Sequence, residues 1–283
     1  AADRVRNLSA VWMGATLGCA QCHDHKYDPY TTRDFYAMAA FFSDIDDEQH
    51  FKVGTNALPT RRPPEILVID DVNRQRLEEI DRLIAKNQDA QKSLKKAEAK
   101  NANKQKESTD DLAKLEESLI KLKAERKRVE SRGRWTMVTR TLSNPRVTRV
   151  LPRGDWLDET GVEVEPAVPD FLPQLQVAGR ASRLDLANWL TDPDQYVGLL
   201  TGRVMANRIW YLLMGSGVCR SLDDFGGQAE PPRNIELLDR LGWEFVESGW
   251  DVKHLIRTIV SSQTYRQSSA VSAEQMERDP YNQ

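Results

Sequence analysis

Cysteine and histidine are concentrated in one short segment of this sequence. Two of the 3 cysteines and two of the 4 histidines lie between positions 19 and 25. Cys19, Cys22 and His23 form a Cys-x-x-Cys-His pattern, which is typical of c-type haem attachment. Both thiols can face one side of a helical turn and add to the vinyl groups of one porphyrin edge, while the adjacent imidazole binds the iron as an axial ligand. The pattern therefore predicts covalently bound haem c.

Three other kinds of site compete for these cysteines. A thioredoxin-like redox pair needs its Cys-x-x-Cys at a strand-to-helix turn, whereas the residues before Cys19 have a helical pattern. A zinc site needs four ligands, and the remaining Cys219, His50 and His254 each stand alone in the sequence. The third alternative is a plain disulfide between Cys19 and Cys22.

The sequence leaves the sixth ligand of such an iron unknown. The candidates are His50, His254, Met13 and Met38. His25 follows His23 too closely for the backbone to carry it to the opposite face of the ring. We expect His25 to bind the cofactor through a propionate or an outer-shell contact, with Asp24 or Asp28 as its partner. A methionine ligand would favour electron transfer, and an open position would favour peroxide or oxygen chemistry.

Composition restricts the possible partners and the location. A net charge of −3 gives no reason to predict binding to nucleic acid or to an anionic membrane. No apolar run approaches the roughly 18 residues that a membrane span requires. Haem is attached to cysteines outside the cytoplasm in bacteria, so the motif predicts a periplasmic or otherwise exported protein whose signal peptide lies outside this fragment.

Helices are predicted on both sides of the motif. Apolar residues at helical spacing predict a first helix over 3–18, ended by Gly18. A second helix is predicted over 33–42, capped by Thr31 or Thr32. Four further helices are predicted over 182–190, 198–213, 234–247 and 251–262, the last two capped by Asn234 and Asp251.

Residues 72–130 are charged and contain no glycine, proline or aromatic residue. Their apolar positions recur at three-and-four spacing on two arms, with a polar turn at 101–109. We therefore predict a protruding antiparallel helical hairpin, a coiled-coil arm, with one long helix as the alternative. The expected pairs are Leu94 with Leu115, Asn87 with Leu122, and Ile80 with Val129. Glutamates interspersed among the basic residues favour a solvated face over a nucleic-acid contact.

The expected fold class is mainly α with a small β-sheet (α+β). One sheet is predicted from strands at 65–69, 135–139 and 146–151, with Asn144 and Pro145 in the turn between the last two. Cys219 is predicted to be a small buried apolar residue. The tryptophans predicted as core or interface anchors are Trp189, Trp210, Trp243 and Trp250.

Two families resemble the chain. Residues 17–29, 33–36 and 40–42 resemble the end of DUF1549 (PSCyt2), a cytochrome-c-like domain of large exported planctomycete proteins. The segments that resemble its usual partner, DUF1553 (PSD1), are 153–156, 180–190, 207–210, 224–226, 249–253 and 264–269. We therefore expect 1–71 to be the C-terminal part of DUF1549, 72–132 the charged arm and 133–283 the DUF1553 domain.

The resemblance also carries functional expectations. It implies that the N-terminal part of the first domain, often with a further cytochrome domain, lies upstream. The family is described as haem-binding by its motif, is of unknown biochemical role, and has been linked to polysaccharide breakdown. The resemblance thus identifies the family but does not identify the activity.

Three functions remain in competition. The first, which we predict, is an exported haem module that passes electrons to a redox partner protein or an upstream cytochrome domain and serves polysaccharide degradation. The second is a haem- or metal-dependent enzyme acting on glycans, for which the residues to test are Asp24, His25, Asp155 and Asp224. The third is a structural or interaction module with a disulfide between Cys19 and Cys22. The catalytic residues of any enzyme are unknown from the sequence.

Overall fold

A computed structural model describes residues 1–47, 63–98, 105–268, 270 and 272–279. It divides into two compact units: Ala1–Asp44 with Leu142–Gln283, and Ile45–Thr141. The described residues are mainly helical with two short antiparallel sheets, which confirms the expected fold class. No described helix is long and apolar enough to cross a membrane.

The described part of the chain contains nine α-helices and four strands. The helices are α1 (Ala2–Leu8), α2 (Thr32–Ala40), α3 (Asp71–Glu98), α4 (Gln105–Glu130), α5 (Arg183–Thr191), α6 (Tyr196–Met214), α7 (Ile235–Glu247), α8 (Val252–Ser261) and α9 (Ala273–Arg278). The strands are β1 (Glu65–Val68), β2 (Arg134–Met137), β3 (Thr148–Arg149) and β4 (Glu163–Val164). A π-helical turn covers Ser9–Met13, and 3-10 turns cover Leu17–Gln21 and Pro152–Gly154.

The first helical run ends earlier than the sequence predicts. After α1 and the π-helical turn, Gly14 adopts a left-handed conformation with φ of 56°, which glycine accepts without strain. A Cβ atom at Gly14 would lie 2.2 Å from Cδ2 of Phe225, so packing also requires glycine there. The prediction of one helix ending at Gly18 is therefore wrong. Gly18 instead lies within the 3-10 turn that carries Cys19.

Helix α2 lies in the larger hydrophobic core and begins where the sequence predicts. Thr31 caps it, and Asp34 completes a reciprocal capping box with the Thr31 backbone N–H. Seven successive side chains from Asp34 to Ala40 are buried. The Asp34 carboxylate also accepts the backbone N–H of Asp170 at 3.2 Å. Helix α2 thereby ties the motif segment to residues far along the chain.

Segments from both ends of the chain share this core. Phe35 and Phe41 of the N-terminal segment belong to the same buried cluster as Val168, Trp189 and Val197. A second cluster joins α6, α7 and α8 through Ala206, Ile209, Leu241, Phe245, Leu255 and Ile259. The motif segment therefore rests on a core to which the C-terminal half contributes.

The strands pair differently from the prediction. β1 pairs with β2, with Glu65 opposite Met137, whereas β3 pairs with β4. The prediction of a single three-stranded sheet, with Asn144 and Pro145 as a hairpin turn, is therefore wrong. β4 is only two residues long, too short for an alternating pattern to mark it in the sequence.

Helices α3 and α4 form the predicted antiparallel hairpin. Arg76 near the start of α3 binds Glu125 near the end of α4, and Asn87 bonds Ser118 at 2.9 Å. Ile80 and Val129 share one buried cluster. Asn87 thus bonds one turn away from Leu122, its predicted partner. The predicted turn is wrong over 105–109, which are helical, while 101–104 lie outside the described residues.

The predicted anchors in the C-terminal half have mixed outcomes. Asn234 and Asp251 cap α7 and α8 as predicted, and Cys219 is fully buried. Trp189 is buried and donates its indole N–H to the Pro173 carbonyl at 2.6 Å. Trp210 and Trp250 pack against the second cluster.

Trp243 is not a core anchor. Its side chain is 47% exposed, and the Arg240 guanidinium lies 5.1 Å from its ring centre. Its neighbours two residues away in each direction, Leu241 and Phe245, are buried. Two residues correspond to about 200° around a helix, which places Trp243 on the opposite face of α7.

Candidate functional site

The two cysteines of the motif are exposed and free. Cys19 lies in the 3-10 turn Leu17–Gln21, and Cys22 directly follows it. Side chains three residues apart eclipse each other in a 3-10 helix, and here Cys19 lies inside such a turn while Cys22 is the residue that ends it. Cys19 follows helical turns and not a strand, unlike the cysteines of a thioredoxin-like redox pair.

The His23 imidazole is exposed, and its hydrogen bond selects a tautomer. Nδ1 lies 2.7 Å from the backbone carbonyl oxygen of Asp24. A carbonyl oxygen can only accept, so Nδ1 carries the hydrogen. In the neutral ring this leaves the lone pair on Nε2, which is the arrangement that a metal-binding histidine requires.

A distant turn and an aromatic hydroxyl lie against the motif. A Cβ atom at Gly154 would lie 2.7 Å from the Cys22 sulfur, so the backbone of the Pro152–Gly154 turn packs directly on this thiol. The Tyr36 hydroxyl donates to the Gln21 carbonyl at 3.2 Å. Burial and the neighbouring Cys22 raise the pKa of Tyr36. The thiols are therefore exposed to solvent but rest on ordered neighbours.

His25 is buried, and both of its ring nitrogens bond to the chain. Nδ1 accepts the backbone N–H groups of Tyr27 at 3.2 Å and Asp28 at 2.9 Å. Nε2 therefore carries the hydrogen and donates it to the Thr16 hydroxyl, 2.9 Å away. These bonds hold the loop after the motif in place. The expected contact between His25 and a cofactor stays a prediction.

The two acids proposed as partners of His25 lie in different places. Asp28 Oδ2 lies 3.5 Å from His25 Nδ1. Asp24 instead accepts the backbone N–H of Thr32 at 2.8 Å, at the start of α2. Of the two, Asp28 is the acid beside the His25 ring, but at 3.5 Å from a nitrogen that already accepts two backbone N–H groups it makes no hydrogen bond to that ring.

Residues 223–227 meet the motif segment, which the sequence did not reveal. The Phe225 N–H donates to the Gly14 carbonyl at 2.7 Å, and the Gly227 N–H donates to Asp28 Oδ1 at 2.7 Å. A Cβ atom at Gly226 would lie 2.5 Å from Asp28 Oδ2. The paired glycines were a usable signal, because a backbone that approaches another group closely often requires glycine.

The acids of the glycan-enzyme hypothesis serve local structure. Asp155 accepts the Leu157 N–H and Asp224 accepts the Gly226 N–H, each at 2.9 Å. Burial and the charges of Asp28, Asp34 and Asp224 raise the pKa of the Tyr30 phenol. The structure thus brings Asp28 and Asp224 near Tyr30, while Asp24 and Asp155 organise backbone turns.

The candidates for a sixth iron ligand lie in different surroundings. Met13 and Met38 are buried at 1% and 0% exposure. His254 Nε2 lies 2.7 Å from Glu244 Oε1, and His50 lies outside the described residues. Among the described residues, no group of three or more histidine, cysteine or acidic side chains is arranged to hold a metal ion.

The residues of the motif fit a covalently attached haem. Such a haem needs one reactive thiol for each of two vinyl groups and one imidazole nitrogen for the iron. Cys19 and Cys22 supply exposed, unbonded sulfurs, and His23 supplies a free Nε2. The donor set is therefore complete on the proximal side.

Family models match both ends of the chain. Residues 1–47 match PSCyt2, described as a protein of unknown function (DUF1549). Residues 182–283 match PSD1, described as a protein of unknown function (DUF1553). No curated protein and no solved structure matches the chain. The two ends of the chain thus match the two families that the sequence resembles.

Proposed function

We propose that this chain is an exported c-type haem-binding module that transfers electrons. One observation carries the proposal: two exposed, free thiols, one within a 3-10 turn and one directly after it, stand beside an exposed imidazole whose Nε2 is available. Free surface cysteines are uncommon, and this pair has the spacing and the neighbouring histidine that thioether attachment requires.

The chain supplies three groups in this proposal. Cys19 and Cys22 would hold haem through two thioether bonds, each formed by addition of one thiol S–H across one vinyl group. No external oxidant or reductant is consumed in this addition. His23 would supply a nitrogen to the iron, and its hydrogen bond to the Asp24 carbonyl holds the ring in the tautomer that leaves Nε2 free for this. When bound, haem supplies a one-electron redox centre.

Electron transfer is favoured over catalysis by the position of the motif. Cys19, Cys22 and His23 are all exposed, which suits electron exchange with a redox partner protein or an upstream cytochrome domain. Met13 and Met38 would have to leave the core to bind iron, so we assign the sixth position to neither. Service to polysaccharide degradation is an extension of the proposal that rests on the family resemblance alone.

The deciding experiment is a reduced-minus-oxidised spectrum of the protein. The chain is exported with a leader in a host that has a cytochrome c assembly system, and denatured protein is measured alongside. We expect a haem band that survives denaturation, disappears when Cys19→Ser and Cys22→Ser are combined, and persists in Cys219→Ser. The last variant is a matched control because Cys219 is the buried cysteine outside the motif.

Two outcomes would overturn the proposal. The first is a haem-free chain from a host that matures a co-expressed cytochrome normally. If the mass of that chain also shows a disulfide between Cys19 and Cys22, a structural module with this disulfide becomes the preferred function. The second is a haem that binds cyanide or azide readily in its oxidised form, because an open iron favours the enzyme over the electron carrier.

A further inference from the structure

Residues 151–161 form a loop, the Cys22 loop, that lies against the thiol of Cys22. A Cβ atom at Gly154 would lie 2.7 Å from the Cys22 sulfur, 3.7 Å from the Gln21 carbonyl oxygen and 3.8 Å from the Cys22 Cα. The Tyr36 hydroxyl, which donates to the Gln21 carbonyl, also accepts a hydrogen bond from the backbone of Leu151. The loop therefore packs on both the backbone and the sulfur of the motif.

The Cys22 loop is closed at its base. β3 precedes it and β4 follows it, and the Val150 N–H donates to the Val162 carbonyl at 3.0 Å. A Cβ atom at Gly161 would lie 1.6 Å from the Val150 carbonyl oxygen, so the two ends approach as closely as glycine allows. Compact surface loops whose ends lie close together are frequently functional.

The backbone beside the thiol has an uncommon conformation. Arg153 has φ of 55° and Gly154 has φ of 74°, so two successive residues lie in the left-handed region. Glycine tolerates this region, whereas other residues enter it at an energetic cost and stay there only where their surroundings hold them. Such residues cluster at active sites and at sites that hold a ligand. The contact of the loop with Cys22 is therefore maintained at a conformational cost.

The tip of the loop exposes two large apolar side chains. The Leu157 N–H donates to Asp155 Oδ1 at 2.9 Å and the Asp158 N–H donates to the Asp155 carbonyl at 3.2 Å, which closes a tight turn. The central residues of this turn are Trp156 and Leu157, which are 77% and 69% exposed. Glycine, proline, asparagine, aspartate and serine dominate such turns. Within the described part of the chain, the Trp156 indole has no hydrogen bond and no ring contact.

The position of the tip favours a group attached to Cys22 as its occupant. Two residues of chain span at most about 7 Å, so the Trp156 backbone lies within that distance of Gly154, which contacts the sulfur. A planar apolar group joined to this sulfur therefore begins within reach of the indole. A partner protein fits less well, because a specific interface buries about 800 Å² on each side and one turn tip offers only two apolar side chains.

We propose that the Cys22 loop is part of the haem site and that Trp156 and Leu157 cover part of the attached porphyrin. This inference rests on the proposed attachment of haem to the motif. The Trp156 ring packs on the porphyrin, as aromatic systems favour, and Leu157 excludes water beside it. The turn at Asp155 holds both side chains on the same side of the thiol as Gly154.

Oxidation by hydroxyl radicals, followed by peptide mass spectrometry, tests whether haem covers the indole. Trp156 is 77% exposed, so its oxidation should slow about threefold or more if haem leaves at most about a quarter of it exposed. Trp243 on α7 is the matched control, because it is 47% exposed and should oxidise equally fast in the haem-loaded and haem-free chains. An unchanged rate for Trp156 in haem-loaded protein would overturn the proposal and would favour a partner protein as the occupant.

The haem absorption band, measured before oxidation, separates this inference from the proposed function. A chain without that band, from a host that matures a co-expressed cytochrome, refutes the proposed function and this inference together. An unprotected Trp156 beside a normal haem band refutes the inference alone.

Trp156→Ala separates a contact with the cofactor from a structural role. The side chain is exposed, so the variant should leave the urea midpoint of the haem-free chain unchanged. It should lower the midpoint of the haem-loaded chain. It should also lower the reduction potential, because water then stabilises the oxidised iron, which carries one more positive charge.

Trp243→Ala is the control for these two measurements. It should shift the midpoints of the haem-loaded and haem-free chains equally and leave the reduction potential unchanged. If Trp156→Ala behaves in the same way as Trp243→Ala, the proposal is wrong.

Discussion

Gly154 and Cys22 are in direct contact although they lie far apart in the chain. A Cβ atom at position 154 would lie 2.7 Å from the Cys22 sulfur, well inside the van der Waals distance. Gly154 also has φ of 74°, in the left-handed region that favours glycine. The lack of a side chain at 154 therefore allows the later turn to pack on the thiol.

The first prediction follows from this contact. Gly154→Ala should destabilise the chain by about 1–2 kcal/mol through its backbone conformation, and it should also displace the Cys22 thiol. Urea unfolding of the reduced, haem-free chain measures the first effect. The alkylation rate of Cys22 relative to Cys19, followed by peptide mass spectrometry, measures the second.

Gly179→Ala is a matched control for this change. Gly179 has φ of 85°, but no described atom would lie within 4 Å of a Cβ atom there. It should therefore show a similar loss of stability without a change in the alkylation ratio. The same ratio in both variants would mean that Gly154 does not position the thiol.

The second prediction separates the roles of the two histidines. His25→Ala removes a buried ring and leaves the partly buried N–H groups of Tyr27 and Asp28 and the Thr16 hydroxyl without their partner, so it should cost about 2–4 kcal/mol of stability in the haem-free chain. His23→Ala removes an exposed ring and should cost less than about 0.5 kcal/mol. Denaturant unfolding of the two variants measures both costs.

In the haem spectra, His23→Ala should have the larger effect and His25→Ala the smaller one. His23→Ala should alter the haem spectrum of the matured protein because it removes the proximal nitrogen. A folded fraction of His25→Ala should keep the iron-ligand bands of the parent, because the contact expected of His25 is with a propionate or an outer-shell group and not with the iron. Loss of those bands in that fraction would contradict the assignment of the iron ligand to His23.

Local features of this fold were predictable from the sequence. Asn234, Asp251 and one of Thr31 and Thr32 were predicted as helix caps, because such side chains accept the first free N–H groups of a helix. Asn234, Asp251 and Thr31 do so. The hairpin was predictable because apolar residues at three-and-four spacing require a partner helix. In both cases the determining interactions involve neighbours in sequence or a repeated pattern.

Contacts between distant segments were not predictable in this way. The N-terminal helical run ends at Gly14 and not at Gly18, because Phe225 packs where a side chain at 14 would lie. The bond from the Gly227 N–H to Asp28 likewise joins two loops without periodicity. The motif itself could be recognised in the sequence. The residues that surround it could not be predicted, because they come from segments that are distant in sequence.

The third prediction concerns the hairpin and tests its independence from the motif. Ile80 is fully buried in a cluster with Ile69, Leu77 and Val129, all within the unit Ile45–Thr141. Ile80→Ala should therefore cost this unit about 2–5 kcal/mol. Leu83→Ala on the same helix should cost less than about 1 kcal/mol, since Leu83 is 39% exposed.

Hydrogen exchange followed by mass spectrometry shows which helices lose stability in Ile80→Ala. The hairpin has its own hydrophobic cluster, and α2 belongs to another. Units with separate clusters can open separately, so exchange should accelerate in α3 and α4 while α2 stays protected. Equal acceleration in α2 would mean that the two units unfold as one. In that case the hairpin would stabilise the segment that carries Cys19 and Cys22, and shortening it should reduce haem attachment as well.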